Sequence, residues 1–199
     1  MSAETHRYLK FWSLLDEIPY SENLRLLARN YFGRFITAKG SSNNHQVWEG
    51  GYLNHIEETM NIAIVLFEAF DNFRQFPFCL SDALVVLFLH DLEKPFKQDP
   101  DVETLIGSYN QFMEKELADR TGQFFNPKAA RRSFRDALIA RYDIKLTDAQ
   151  KNALQYIEGV PDSEYTSSER TMGELAAFCH CCDVLSARVW HDKGNGINW

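Results

Sequence analysis

Hydrophobic residues recur every three to four positions along most of this chain, and no stretch gives a convincing strand pattern. A period near 3.6 residues is typical of amphipathic helices, so the pattern predicts an all-α fold. Pro19 should end the first helix, and Ser21 should cap the second. The predicted helices span residues 5–18, 21–37, 52–70, 81–95, 102–118, 127–142, 147–157 and 167–190.

The fourth predicted helix contains the most apolar part of the chain. Residues 83–89, ALVVLFL, are apolar without exception. A helix that is hydrophobic on all sides is normally buried. A buried strand has a similar run, but the length of the segment and the Ser81 cap favour a helix. We expect this helix to lie at the centre of the fold.

No internal repeat, low-complexity tract or domain linker interrupts the 199 residues. A chain of this length suits one compact domain and can bury a substantial core. We therefore expect a single domain over residues 1–199, with N-terminal helices over 5–37 and a loose tail over 193–199. Residues 39–51 are rich in Gly, Ser and Asn and should form a loop.

Composition narrows the classes of function. A net charge of −7 does not indicate a broad electropositive surface for duplex nucleic acid, although one cleft can still be positive. The first residues contain no apolar segment of a secretory signal, and every apolar run is far shorter than the roughly 20 residues of a membrane span. We expect a cytoplasmic protein. Its four cysteines fit reduced thiols better than a disulfide framework.

Polar residues within or beside the apolar helices carry the candidate chemistry. His90 and Asp91 directly follow the 83–89 run, where a titratable pair is costly unless both groups are satisfied. Asp183 lies in the middle of an otherwise apolar helix, and His55 lies near the start of the third helix. Imidazole and carboxylate are good ligands for transition metals. Three helices that each present such a group predict a metal site inside a helical bundle.

Each of these residues also has a purely structural interpretation. An isolated His-Asp pair is most often a buried hydrogen bond, and a lone His at a helix start is most often a surface or capping residue. Asp183 is harder to explain in this way, because an unpaired buried carboxylate is expensive. The residues alone leave both interpretations open.

Three segments of the sequence together resemble the HD superfamily of metal-dependent phosphohydrolases. They are GGYLNH at 50–55, LFLHDLEKP at 87–95 and CCDVLSAR at 181–188. The segments occur in the family's order, and the resemblance covers about residues 39–188.

The resemblance implies an HD-type helical bundle with one divalent metal ion in its core, whether Mn, Co, Ni, Fe, Zn or Mg. Its ligands would be His55, His90, Asp91 and Asp183. The implied activity is hydrolysis of phosphate ester or anhydride bonds of (deoxy)nucleotides, by a nucleotidase or a deoxynucleoside triphosphate triphosphohydrolase. Two alternatives stay open: a phosphodiesterase on cyclic nucleotides or RNA 3′ ends, and a catalytically silent HD-like sensor or interaction domain.

The sequence departs from the family's usual pattern at two positions. Glu93 replaces the Gly of the common His-Asp-x-Gly-Lys motif, whereas Lys94 is retained. By analogy, Asp91 would bind the metal and help to orient water, Lys94 would contact a substrate phosphate, and Glu93 would assist the water. The segment around His45 resembles HD-type 3′–5′ exoribonucleases, but Gln46 stands where those enzymes have a second His.

Five side chains are candidates for substrate binding: Lys94, Trp48, His45, His180 and Arg188. Trp48 could stack on a base, and Arg188 could neutralise phosphate charge. His180 precedes Asp183 by three residues and therefore shares part of its helix face, so it could reach a second ion. Because no His occurs between residues 96 and 179, we predict one catalytic metal rather than two.

One predicted helix carries a basic stretch with Lys128, Arg131, Arg132 and Arg135. Such a stretch is usually a solvated face, but it could help to hold an anionic substrate. The expected partner is a nucleotide or another phosphorylated small molecule. Neither duplex nucleic acid nor a membrane is expected as a partner, and a homo-oligomer is compatible with the sequence.

Overall fold

All regular structure in the described part of the chain is helical. The computed structural model describes residues 7–41, 46–119, 126–161, 164, 166, 168 and 170–189. Its elements are α1 (Phe11–Asp16), α2 (Glu22–Phe35), α3 (Gly51–Asp71), α4 (Leu80–Leu89), α5 (Lys94–Gln98), α6 (Tyr109–Ala118), α7 (Pro127–Arg141), α8 (Asp148–Tyr156), α9 (Glu174–Val184) and a π-helical segment (Leu185–Val189). These elements confirm the all-α prediction.

Helix α4 lies at the centre of the fold. Every residue from Ala83 to Leu89 is buried, as the continuous apolar run predicts. Helices α3, α8 and α9 all pack against α4, and α9 also contacts α3 and α8. Helices from before and after α4 in the sequence therefore pack around this one central helix.

The N-terminal helices cover this centre from one side. The ring of Phe11 on α1 contacts the rings of Phe35 on α2 and Phe88 on α4, with centroid distances of 6.3 and 5.4 Å. The backbone N–H of Phe11 also donates to Oε1 of Glu57 on α3, at 2.9 Å. These contacts hold α1 against both α3 and α4.

Several helix boundaries differ from the prediction. Helix α1 begins at Phe11, and residues 7–10 before it are not helical. Helix α4 ends at Leu89, and Pro95 does not end it but lies in the first turn of the separate helix α5. Proline is tolerated there because the first turn of a helix needs no backbone N–H from it.

Two later helices begin further along the chain than predicted. Helix α6 begins at Tyr109 rather than at residue 102, because Ser108 and Gln111 form a reciprocal capping box there. Gly107, with φ of +90°, forms part of the turn before this cap. Helix α9 begins at Glu174 rather than at residue 167. The predicted tail, residues 193–199, lies outside the described residues.

No helix in the described ranges combines the length and apolar character that crossing a bilayer requires. The longest of them, α3, has 21 residues and includes two buried glutamates, Glu57 and Glu58.

Candidate metal centre

Four side chains from three parts of the chain meet in the interior of the protein. His55 comes from the second turn of α3, His90 and Asp91 directly follow α4, and Asp183 comes from the last turn of α9. His55, His90 and Asp91 are buried, and the side chain of Asp183 is 20% exposed. The structure thus brings together all four residues that the sequence predicted as ligands.

The distances between these side chains fit a shared coordination sphere. Nε2 of His55 lies 3.1 Å from Oδ1 of Asp183 and 3.5 Å from Oδ2 of Asp91. Nε2 of His90 lies 3.2 Å from the same Asp91 oxygen and 3.6 Å from the same Asp183 oxygen, and the two Nε2 atoms are 3.3 Å apart. Ligand atoms about 2.1 Å from a metal ion are roughly 3.0 Å apart in an octahedron and roughly 3.4 Å apart in a tetrahedron. His55, His90 and Asp91 could therefore hold a metal ion.

Hydrogen bonds on the far side of each ring fix which nitrogen faces the centre. Nδ1 of His90 lies 2.7 Å from the carbonyl oxygen of Leu87, which can only accept, so this nitrogen carries the proton. Nδ1 of His55 lies 2.9 Å from Oγ of Ser186, whose own proton is donated to Glu58 at 3.0 Å. His55 is therefore the donor as well. In the neutral form of each ring, the Nε2 lone pair faces the centre, as a metal ligand requires.

The charges around the centre oppose the effect of burial. Burial raises the pKa of Asp91, but Lys94 and His90 outweigh it and hold that pKa well below its usual range. The pKa of Asp183 is likewise lowered, because its contacts with His55 and His90 outweigh burial. Burial lowers the pKa of His55, whereas Asp91 and Asp183 overcome burial at His90 and raise its pKa to about 10. The centre therefore holds two ionised carboxylates, whose charge is balanced by Lys94 and protonated His90 in the absence of a metal ion.

Lys94 and Glu93 lie directly beside the centre. The ammonium of Lys94 forms an ion pair with Oδ2 of Asp91, which outweighs burial and raises the pKa of Lys94. Burial, together with the negative charge of Asp91, raises the pKa of the Glu93 carboxyl to about 7. At neutral pH this carboxyl is present in both its charged and its neutral form.

One stretch of chain, from the last turn of α9 into the π-helical segment, contacts both nitrogens of His55. Asp183 and Ser186 are three residues apart, and the first lies against Nε2 of His55 while the second lies against Nδ1. Ser186 is fully buried and donates to Glu58 of α3. Insertions of a π-helical turn often occur at functional sites. Neither Ser186 nor Glu58 was predicted from the sequence, although Ser186 lies within the motif CCDVLSAR.

Gln46 replaces the second His of the exoribonuclease-like segment. It does not lie among the four candidate ligands but beside Glu58 and Ser186. Its Nε2 donates to Glu58 at 2.6 Å and to Ser186 at 3.3 Å. In this position it orients the groups that hold His55. Its preceding neighbour, His45, lies outside the described residues.

A close approach of backbone segments sets the start of α3. Gly50 adopts φ of +79°, a left-handed conformation that favours glycine. A Cβ atom on Gly51 would lie 1.9 Å from the carbonyl oxygen of Gln46, so no other residue fits there without a shift of the backbone. The Gly-Gly pair thereby brings the loop that carries Gln46 against the helix that carries His55.

Arg135 contacts the backbone at the C-terminal end of α4. This arginine of α7 is 4% exposed, and its Nη1 lies 3.5 Å from the carbonyl oxygen of His90 and 3.1 Å from that of Leu154 on α8. A cation at the C-terminal end of a helix is favourable because the carbonyl groups there carry partial negative charge. Arg135 therefore joins α4, α7 and α8 beside the centre. A basic stretch on α7 was predicted from the sequence, but this contact was not.

A cavity of about 460 Å³ opens between α7 and α8 next to the centre. His90 and Glu93 form part of its wall, and the basic residues of α7 form another part. These basic residues are Lys128, Arg131, Arg132 and Arg135.

Three other predicted substrate contacts have different surroundings. The indole N–H of Trp48 donates to Oδ1 of Asn54 at 2.8 Å, so half-buried Trp48 packs on the first turn of α3. Nδ1 of His180 lies 2.5 Å from the carbonyl oxygen of Ile157, beyond the end of α8. Arg188 is exposed on the π-helical segment. Their roles with substrate stay predictions.

Comparison of the chain with protein-family models, with curated proteins and with solved structures found no match. The resemblance to the HD superfamily therefore rests on the three sequence motifs alone.

Proposed function

We propose that this protein is a metal-dependent phosphohydrolase of the HD type, in which His55, His90, Asp91 and Asp183 bind one divalent metal ion. The observation that carries the proposal is the convergence of two Nε2 atoms and two carboxylate oxygens on one interior point. Such groups are costly to bury unless they are satisfied, and a divalent cation satisfies all four. The motif resemblance supplies the class of reaction.

A divalent ion bound there would activate water as a nucleophile and polarise a phosphoryl oxygen. The side chains around it orient the reactants. Asp91 and Asp183 stay ionised at neutral pH, so either can accept a hydrogen bond from the attacking water. Lys94 is held beside Asp91 and would donate to a phosphoryl oxygen, which offsets the charge that develops during transfer.

Glu93 is the candidate for proton transfer. The pKa of its carboxyl is raised to about 7, which is near neutral pH. General acid–base catalysis is most efficient when the pKa of the catalytic group is close to the pH of the reaction. Because Glu93 and His90 line the same cavity, this carboxyl is accessible to a molecule that binds there. It would take a proton from water or give one to the leaving oxygen.

The substrates that we favour are (deoxy)nucleotides. The cavity volume of about 460 Å³ lies within the range of roughly 300–1,000 Å³ that is typical of small-molecule sites. Its cationic wall suits a phosphorylated ligand. A phosphodiesterase on cyclic nucleotides or RNA 3′ ends and a silent sensor domain are the competing functions.

The test combines metal analysis with a substrate panel. Purified protein is loaded in turn with Mn²⁺, Co²⁺, Ni²⁺, Fe²⁺, Zn²⁺ or Mg²⁺ and assayed with nucleoside mono- and triphosphates, cyclic nucleotides and short RNA. We expect one metal equivalent per chain and release of phosphate from nucleotides. The variant Asp91→Asn should lose metal and activity but keep its circular dichroism spectrum, whereas Asp148→Asn, which changes an exposed residue of α8, should keep all three.

Each alternative predicts a different result. Cleavage of cyclic nucleotides or RNA alone would support a phosphodiesterase, and metal binding without any hydrolysis would support a silent domain. Protein that binds none of the six metals would refute the proposal.

A further inference from the structure

Four basic residues form one stripe along α7. Lys128, Arg131, Arg132 and Arg135 follow each other at intervals of three, one and three residues. This spacing places them on one face of the helix. At 1.5 Å per residue, the stripe extends over about 10 Å, longer than a single phosphate group requires.

The stripe leads towards the metal centre. Its residues line the same cavity as His90 and Glu93, and Arg135 at its end contacts the carbonyl oxygen of His90. Asn126 and Pro127, at the N-terminus of α7, line the other end. The partial positive charge of that helix end has the same sign as the stripe. A molecule in the cavity would therefore meet positive charge along its length while one end lies near His90.

The charges of the stripe are only partly compensated. Within the described residues, no carboxylate forms an ion pair with Arg131, whose charge acts on the nearby phenol of Tyr109 and favours a lower Tyr109 pKa. Lys128 and Arg132 both contact Glu158, which follows α8, but the Lys128 and Glu158 side chains are about half exposed. Exposed ion pairs contribute little to stability, so an anion can replace Glu158 at small cost. Arg135 is committed to backbone carbonyls and to Asp136.

We propose that this cavity binds a chain of linked phosphates, as in inorganic triphosphate or a nucleoside di- or triphosphate, with its inner end towards His90. The role of such a chain as the substrate rests on the proposed function. Arg131 and Arg132 provide the principal contacts because arginine pairs bidentately with phosphate oxygens. The linear stripe matches several linked phosphates better than a single phosphate.

The test is calorimetric binding of inorganic triphosphate to the full chain, freed of metal by dialysis so that neither hydrolysis nor metal chelation contributes. We expect triphosphate to bind at least about tenfold more tightly than orthophosphate. Arg131→Ala and the double variant Arg131→Ala/Arg132→Ala should each weaken triphosphate binding by about tenfold or more. Arg141→Ala, which removes an exposed arginine from the far end of the same helix, should leave the binding unchanged.

A second variant guards against loss of structure at Arg131. Arg131→Gln keeps a long polar side chain beside Tyr109 but removes the charge, so this variant should fold and bind triphosphate more weakly than the wild-type protein. Equal affinity of the wild-type protein, Arg131→Gln and the double variant would overturn the proposal, as would equal binding of orthophosphate and triphosphate.

The same measurement with Asp183→Asn separates this proposal from the proposed function. Asp183 does not line the cavity, so triphosphate should bind to this variant as it binds to the wild-type protein. A chain that binds triphosphate but binds no metal and hydrolyses no nucleotide would refute the phosphohydrolase and retain the oligophosphate site.

Discussion

His55 shows how single side chains define the candidate centre. One of its nitrogens faces the carboxylates, and the other donates to Ser186, whose proton goes to Glu58. This chain of donors leaves only one tautomer for the ring. Groups that hold a metal ligand in this way raise its basicity and fix its direction.

Removal of the Ser186 hydroxyl should therefore weaken metal binding. We expect Ser186→Ala to lower metal affinity about 10–100-fold, the usual effect of losing a group that orients a ligand. Titration with Mn²⁺ measures the affinity. Ser133→Ala is the matched control, because Ser133 donates only within α7, to the carbonyl oxygen of Ala129. Equal affinities of the two variants would contradict the role of Ser186.

Lys94 is a second single side chain with a testable role in the centre. If Lys94 binds the substrate phosphate, Lys94→Gln should lower kcat/KM by an amount equivalent to about 1.5–3 kcal/mol, the value of a hydrogen bond to a charged group. Its metal affinity should not fall, because the substitution removes a cation that contacts Asp91. Steady-state kinetics and metal titration on one preparation measure both. An unchanged kcat/KM would leave Lys94 as an internal counter-ion of Asp91.

The sequence predicted the four candidate ligands but not the groups that orient them. His90, Asp91 and Asp183 stand out because polar residues are costly beside apolar runs. Ser186 gives no such signal, because serine is common in helices and its partner Glu58 lies 128 residues away. In the sequence, Arg135 is one of several residues of a basic stretch. Only the fold shows that it lies against the end of α4.

At the level of elements, the pattern of apolar residues predicted the helices better than the residues expected to begin or end them. The run from Ala83 to Leu89 predicted the buried central helix. Pro95 was wrongly taken as its end, because proline can end one helix or occupy the first turn of the next. The start of α6 was also misplaced, since residues 102–108 contain enough apolar residues to continue its period while the cap at Ser108 decides the boundary.

Two glycines in helices provide a matched test of the element that carries His55. Gly51→Ala should destabilise the protein by about 1–3 kcal/mol, because its Cβ would overlap the carbonyl oxygen of Gln46. Gly33→Ala should instead stabilise it by about 0.5–1 kcal/mol, because Gly33 is exposed in α2 and a Cβ there meets open space. Urea unfolding of both variants gives the two free energies. A Gly51→Ala protein as stable as the wild type would show that the loop can move away from α3.

At the level of the whole molecule, a metal ion would link elements that are far apart in sequence. His55 and Asp183 belong to α3 and α9, and His90 directly follows α4, with which both of these helices pack. A ligand that binds only the folded state at 1,000 times its dissociation constant stabilises that state by about 4 kcal/mol. For a chain of this size, that corresponds to an increase in Tm of roughly 10 °C.

The size of this stabilisation should depend on pH. In the metal-free protein, the pKa of His90 is raised from 6.5 to about 10 by Asp91 and Asp183, which outweigh burial. A raised pKa contributes stability that is fully present below pH 6.5 and is lost as the pH rises towards 10. Metal binding requires neutral His90, so at pH 7 it must release a proton, and the affinity increases with pH.

The increase in Tm on addition of Mn²⁺ should therefore be larger at pH 8.5 than at pH 6.5. The reason is proton competition at His90, because the metal displaces this proton and competes with fewer protons as the pH rises. Differential scanning calorimetry with and without Mn²⁺ at the two pH values measures the difference. Asp183→Asn is the control, and it should show little increase at either pH. A larger increase at pH 6.5 in the wild-type protein would mean that His90 does not exchange a proton for the metal.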